Sequence, residues 1–206
     1  MDAVLGAAAP LSVQRARAIT DALAAHHPRS VDHPGRRQAA VLIVLYERDH
    51  EPWVVLTKRT ESVATHKGQI SFPGGAKDPE DADLWATAVR ETVEELGVEP
   101  ATVVKLGRLD DYPTFSSGFV VTPHIATMHP PEAWNPNPFE IAEVIELPLR
   151  VLADIARVEW WERDGIRFPM HIFEVEHHYV WGVTAFILHR FFEVVGPVIG
   201  HTVEQA

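Results

Sequence analysis

No cysteine occurs in the 206 residues, which removes disulfide frameworks, thiolate metal centres and cysteine nucleophiles together. Any metal must then rest on oxygen or histidine. Positive charge is scarce as well: 18 Lys and Arg stand against 29 Asp and Glu, a formal net charge of −11. The basic footprint of a nonspecific nucleic-acid binder is missing, and a phosphorylated substrate would need cations placed locally. No apolar run reads as long enough for a membrane span, and the N-terminus MDAVLGAAAPLSVQRARAIT lacks the basic lead and long apolar stretch of a signal peptide. The expectation is a chain with neither nucleic acid nor membrane as partner, and the cytoplasm as its address. What is present is 46% apolar content, enough for a full core in one domain or one domain with appendages.

Residues 11–26, LSVQRARAITDALAAH, set Leu11, Ile19, Leu23 and the alanines at helical spacing, and HPRSVDHPGRR breaks the period with two prolines and a glycine. The spacing predicts an N-terminal helix and linker over residues 1–36, with the domain proper over 37–206. AAVLIVLY reads as an apolar strand, and WVVLTKR beyond the turn-like ERDHEP as its hairpin partner. After an acidic helix come three β-rich segments, VVKLGRLDDYP, GFVVTPHIATM and EIAEVIELPL, with MHPPEAWNPNP as a loop. Strands around GIRFPMHIFEV and HHYVWG and a closing helix through TAFILHRFFEVVG complete the pattern of a mixed α/β sheet carrying helices, without internal repeats.

Residues 74–98, GGAKDPEDADLWATAVRETVEELGV, crowd three carboxylates close behind twin glycines. Asp81 or Asp83 is a credible helix N-cap and Gly97 a credible stop. At about 100° per residue, Trp85, Val89, Thr92, Val93 and Leu96 fall on one side, read as core, and Glu91, Glu94 and Glu95 on the other. Most acidic patches of this kind are simply solvated faces. Here the charges sit in the C-terminal half, against the helix dipole, and Glu91 repels Glu95 at i, i+4, each effect costing roughly a few tenths of a kcal/mol. A divalent cation among the carboxylates removes both costs, and Mg²⁺ takes oxygen ligands shared with substrate phosphates. Gly74 and Gly75 let backbone approach a ligand closely, and Arg90 flanks Glu94, where it can hold that carboxylate in place.

With these residues in view, the stretch resembles the signature of Nudix hydrolases, G-x5-E-x7-R-E-U-x-E-E-x-G-U, U being a bulky aliphatic. Gly75, Asp81, Arg90, Glu91, Glu94, Glu95, Gly97 and Val98 fill it. Asp81 replaces the first glutamate, Thr92 takes an aliphatic slot, and one extra residue separates Asp81 from Arg90. That extra residue is similar to the coenzyme A pyrophosphatase branch, in which L-L-T-x-R precedes H-x-G-Q-x-x-F-P-G-G. Residues 56–75 read LTKRTESVATHKGQISFPGG, so Leu56, Thr57, Arg59, His66, Gly68, Gln69, Phe72, Pro73, Gly74 and Gly75 agree. SGFVVTP, NPFEIAEVIELPL and VWGVTAFIL extend the likeness to about residues 37–195. Where that branch often carries arginine before the histidine, this chain has Ala64 and Thr65.

The resemblance implies a Nudix-type α/β/α sandwich with a mixed sheet and an N-terminal helical extension. It implies an Mg²⁺- or Mn²⁺-dependent hydrolase that cleaves the pyrophosphate of coenzyme A or acyl-CoA, giving 4′-phosphopantetheine or its acyl form and adenosine 3′,5′-bisphosphate. Glu91, Glu94 and Glu95, with the Gly75 carbonyl, are then the metal ligands. The proton of the attacking water goes to a carboxylate, either a helix glutamate or Glu140 or Glu143 further on. Lys58, Arg59, His66, Lys67, Gly74 and Gly75 are the expected substrate contacts. Two rivals stand beside this reading: hydrolysis of another nucleoside diphosphate derivative such as NADH or ADP-ribose, and a Nudix module that binds a nucleotide without cleaving it. The intact Glu91, Glu94 and Glu95 argue against the second. Twelve histidines raise a zinc alternative at His171, His177 and His178, but adjacent residues on a strand point to opposite faces, so no such site is expected. Trp160, Trp161, Trp181 and the apolar stripe of the last helix read as core or subunit interface, which leaves a homodimer open.

Overall fold

The apolar run that starts at Ala39 lies at the centre of a sheet covered on both faces. The computed structural model describes residues 6–61, 68–114, 117–163 and 165–203. Along the chain, β1 (Ala8–Ala9), α1 (Val13–His26), β2 (Arg37–Arg48), β3 (Glu51–Arg59), β4 (Ile70–Ser71) and β5 (Gly74–Ala76) lead to the acidic helix α2 (Leu84–Leu96). β6 (Val104–Arg108), β7 (Tyr112–Pro113), β8 (Phe119–Thr127) and β9 (Ile141–Pro148) follow. The chain then forms α3 (Leu149–Ile155), β10 (Ala156–Arg163), β11 (Ile166–Val175), β12 (His178–Val180) and α4 (Gly182–Ile199).

β2 pairs parallel with β8 and antiparallel with β3, within the strand path β4-β3-β2-β8-β6, and β9 pairs with β3. A strand in a parallel pair with helices on both sides is apolar on both sides, which is why its residues do not alternate. Ala40, Leu42, Val44 and Tyr46 pack toward α2, whereas Ile43 and Leu45 pack toward α1, α3 and α4. The result is an α/β/α sandwich with a mixed sheet. At the β2–β3 turn, Asp49 and His50 adopt φ of 53° and 64°, the left-handed pair that a tight hairpin needs.

Three regions sharpen or correct the sequence reading. The N-terminal helix lies in the main core: Ile19 and Leu23 are buried there, and Leu23 packs where a Cβ on Gly107 would stand 2.8 Å from its Cδ1. Each such burial stabilises by about 1.5–3 kcal/mol, so the extension is a layer of the sandwich. Residues 150–163, to which the sequence reading gives no element of their own, form α3, which starts at Leu149, and β10. α3 has seven residues, too few to display a helical period, and β10 is held by pairing along its length with β11. Finally, α4 has 18 residues and a mean hydropathy of 1.4, long and apolar enough to cross a membrane by length and composition, where no such run is expected. Ile187, Leu188, Phe191, Phe192 and Val195 of α4 face the core. Arg190 meets Asp110 at 3.4 Å and Glu193 at 2.8 Å, the pattern of a core helix.

His124 on β8 is 4% exposed and stands edge-on to Trp85 of α2; neither ring nitrogen meets a hydrogen-bond partner among the described residues. Burial, helped by the charges of Lys105 and Arg108, pushes its pKa from 6.5 down to about 4. The folded state therefore favours the neutral ring, and that contribution to stability is complete above pH 6.5 and lost as pH falls through about 4. Such a shift is worth about 3 kcal/mol. Urea unfolding of His124→Phe is expected to show a loss of stability between pH 6.5 and 4 that is shallower than wild type by up to this amount. Parallel pH profiles would exclude His124 as the source.

Candidate active site

Two glycines make the space that the carboxylates occupy. β5 pairs with β2 through Ala40↔Gly75 and Val41↔Gly74, and α2 packs against both strands. A Cβ on Gly75 would stand 2.5 Å from Glu91 Cδ and 2.6 Å from both Glu91 oxygens, so only a residue without a side chain leaves Glu91 in that position. Gly74 has φ +151°, and a Cβ there would meet the Ala40 carbonyl oxygen at 2.3 Å. Its N–H donates to Glu95 Oε2 at 3.3 Å. Of the two N-cap candidates Asp83 fills the role, accepting from Ala86 N–H at 2.8 Å, and α2 stops at Gly97 with φ 67°.

The division of α2 into a core face and a carboxylate face is corrected by Glu95. This residue is 3% exposed and shares the buried face with Ala88, Thr92 and Leu96. Val89 is half-buried and lines an open groove of ≈ 440 Å³ with Pro100, Val103, Trp85 and Val93, the last two also packing against the core as expected. Charge normally places a glutamate outside, but here Arg59 Nη1 lies 3.4 Å from Glu95 Oε1 and the Gly74 amide meets the other oxygen. Even so, burial pushes the Glu95 carboxyl up to about 8; Arg59 and the Gly74 N–H pull it down, and Glu91 and Glu140 add to the rise. Glu91 is raised too, first by burial, against the pull of Arg90 and with the push of Glu94 and Glu140. Carboxylates held together at such a cost are stabilised by a cation, and their oxygens suit a hard one. Glu91 and Glu95 beside Gly75 therefore fit a divalent ion.

Glu94 is placed differently. It is exposed, and its Oε2 accepts from Arg90 Nη1 at 3.1 Å, while Glu91 Oε1 lies 3.0 Å from the same nitrogen. Glu91, Glu94 and Glu95 do not present three oxygens within 4.8 Å of one another among the described residues. Arg90 is anchored by Asp81, its Nε and Nη2 donating to the two carboxylate oxygens at 3.0 and 3.1 Å, and Nη2 also donates to the Ala76 carbonyl at 3.1 Å. This two-pronged bond holds the Asp81 carboxyl well below the usual range.

The remaining candidates separate by strand face. Arg59 lies with Thr57 on the α2 side, and its Nη2 is 3.7 Å from Glu140 Oε2, so Glu140 joins the site. Lys58 and Glu143, paired across β3 and β9, share the opposite face with Leu56 and Ile145, two residues away on each strand. Both are thereby corrected as candidates for this site: alternation on a strand carries them away from Glu91 and Glu95, and Glu143 bonds to His178 instead, at 3.1 Å. His66, Lys67, Ala64 and Thr65 lie outside the described residues. Sequence reasoning assigned no role to Asn137, whose N–H donates to the Glu95 carbonyl at 3.0 Å and whose Nδ2 donates to Glu140 at 3.3 Å. The signal was the asparagine three residues before that glutamate.

The NUDIX domain family model matches residues 36–169. The chain belongs to the Nudix hydrolase family. Its relatives include the uncharacterized Nudix hydrolase NudL of Photorhabdus laumondii, 33% identical over 156 residues covering 75% of this chain and 82% of that protein. NudL of an Enterobacter species is 38% identical over 161 residues, 77% of this chain and 83% of that one. A MutT/nudix family protein from Enterococcus faecalis has a similar fold, with TM-score 0.54 at 15% identity over 85% of this chain and 70% of its own. A NUDIX hydrolase from Alicyclobacillus acidocaldarius gives 0.50 at 21% identity over 58% and 82%. α2 is thus the Nudix helix, and the departure of Asp81 from the family glutamate has a physical reading, since the shorter carboxylate still grips the arginine of the signature with both oxygens.

Proposed function

We propose that this Nudix hydrolase cleaves the pyrophosphate of coenzyme A or acyl-CoA, giving 4′-phosphopantetheine or its acyl form and adenosine 3′,5′-bisphosphate. The observation that supports this reading is where the coenzyme A-type motif falls. LTKR ends β3 with Arg59 against Glu95, and the downstream FPGG brings Gly74 beneath Glu95 and Gly75 beneath Glu91. Glu91 and Glu95 would hold Mg²⁺ or Mn²⁺ with help from Gly75 and Glu94, and the ion would neutralise pyrophosphate charge and make water a better nucleophile. Arg59 supplies positive charge in a protein of net charge −11 and sets the distance between Glu95 and Glu140. Water oxygen bonds to one phosphorus, the bond from that phosphorus to the bridging oxygen breaks, and Glu140 accepts the proton. Arg90, fixed by Asp81, keeps Glu91 and Glu94 in place.

Chromatographic product analysis tests this directly, with purified protein, Mg²⁺ or Mn²⁺, and coenzyme A, dephospho-coenzyme A, ADP-ribose and NADH in parallel. Coenzyme A is expected to be cleaved to the two named products. Because Ala64 and Thr65 stand where an arginine would grip the 3′-phosphate, a preference over dephospho-coenzyme A of no more than roughly tenfold is expected, the equivalent of about 1.4 kcal/mol. Rapid turnover of ADP-ribose or NADH without coenzyme A cleavage would transfer the function to that substrate class. Tight nucleotide binding without any cleavage would make the protein a sensor.

A further inference from the structure

Away from the carboxylate site, the edge of the main sheet meets the edge of the small one. β9 pairs with β3 at one margin, β12 with β11, and between them His178 Nε2 lies 3.1 Å from Glu143 Oε1. His177 is not on the strand: it occupies the turn before β12, after Glu176 with φ 54°. The rule that adjacent strand residues diverge therefore does not apply, and the His177 and His178 rings lie side by side, centroids 4.1 Å apart. One ligand atom each from Glu143, His177 and His178 falls within 4.8 Å of the others. His171, the third histidine of the sequence-level alternative, is elsewhere, stacked on His189 at 3.8 Å.

We propose that Glu143, His177 and His178 form a second metal site, for a transition cation of the Zn²⁺ class, distinct from the Nudix carboxylates. Two imidazoles and one carboxylate are a donor set that Zn²⁺ accepts with one position left open, whereas Mg²⁺ prefers oxygen alone. Tetrahedral Zn²⁺ with ligands at about 2.0–2.1 Å needs ligand atoms about 3.4 Å apart. The contraction required is a side-chain adjustment at exposed His177, because His178 is 6% exposed and already against Glu143. The ion would pin the β11–β12 hairpin to β9 at the point where His178 meets Glu143.

Calorimetric titration of the full chain with Zn²⁺, in excess Mg²⁺ to occupy the carboxylate site, is the test. One equivalent is expected to bind and to raise the melting temperature, with affinity falling at least about tenfold in both His177→Ala and Glu143→Gln. Co²⁺ is expected to give the visible absorption of a four-coordinate site in wild type and to lose it in both variants. His177 is exposed and Glu143→Gln keeps shape and a hydrogen-bond acceptor for His178, so both variants are expected to fold, which circular dichroism checks. Zn²⁺ affinity unchanged in the two folded variants, or no Zn²⁺ bound by wild type under excess Mg²⁺, overturns the site.

Discussion

Glu95→Gln is expected to lower turnover by at least about 10³-fold and, at the same time, to make the metal-free protein more stable at pH 8. The two effects have one cause. Glu95 is buried with a carboxyl pKa of about 8 against an ordinary 4.5, so the folded state favours its protonated form. The stability this gives is fully present below pH 4.5 and is lost as pH rises through about 8. A neutral amide carries no such penalty, and the gain at pH 8 is on the order of 2–4 kcal/mol, part of the full ionisation cost being returned by the lost contact with Arg59. Urea unfolding with chelator at pH 5 and pH 8 reads the stability term, and single-substrate kinetics with Mg²⁺ reads the turnover. Near-normal metal-dependent turnover in the variant would remove Glu95 from the catalytic group.

The glycine pair is expected to divide fold from function. Gly74→Ala places a Cβ 2.3 Å from the Ala40 carbonyl oxygen and 2.6 Å from Val41 Cα, at φ +151°, so rigid backbone must move in the middle of the sheet. A loss of at least about 3 kcal/mol is expected. The atoms nearest the Cβ of Gly75→Ala are those of the Glu91 carboxylate, the far end of a flexible side chain, which can swing aside. The variant's stability is expected to stay within about 1 kcal/mol of wild type, while displacing Glu91 lowers turnover by about 10²-fold or more. Comparing denaturant midpoints with turnover in the two variants separates these roles, and a Gly75→Ala enzyme with full activity would show that Glu91 does not act from the position seen here.

The primary sequence by itself determined the elements whose cause is local. AAVLIVLY read as an apolar strand, Gly97 could end a helix in the left-handed region, and the R-E-x-x-E-E-x-G run placed the Nudix helix on the chain. Helical periodicity also ranked residues by polarity, and there it misled. Glu95 looked outward because it is charged, yet it is buried, since Arg59 from β3 and the Gly74 amide from β5 supply partners that lie 36 and 21 residues away. Only the tertiary structure separates Glu140 from Glu143: the turn before β9 sets Glu140 beside Arg59, whereas Glu143, on β9 itself, meets His178. The same holds for His177 and His178. Read as strand they diverge, and the turn that brings them together exists because β12 pairs with β11. Contacts between residues far apart in the chain carry no local signal, so the partners of a buried charge and the face of a marginal residue were set by the tertiary structure alone.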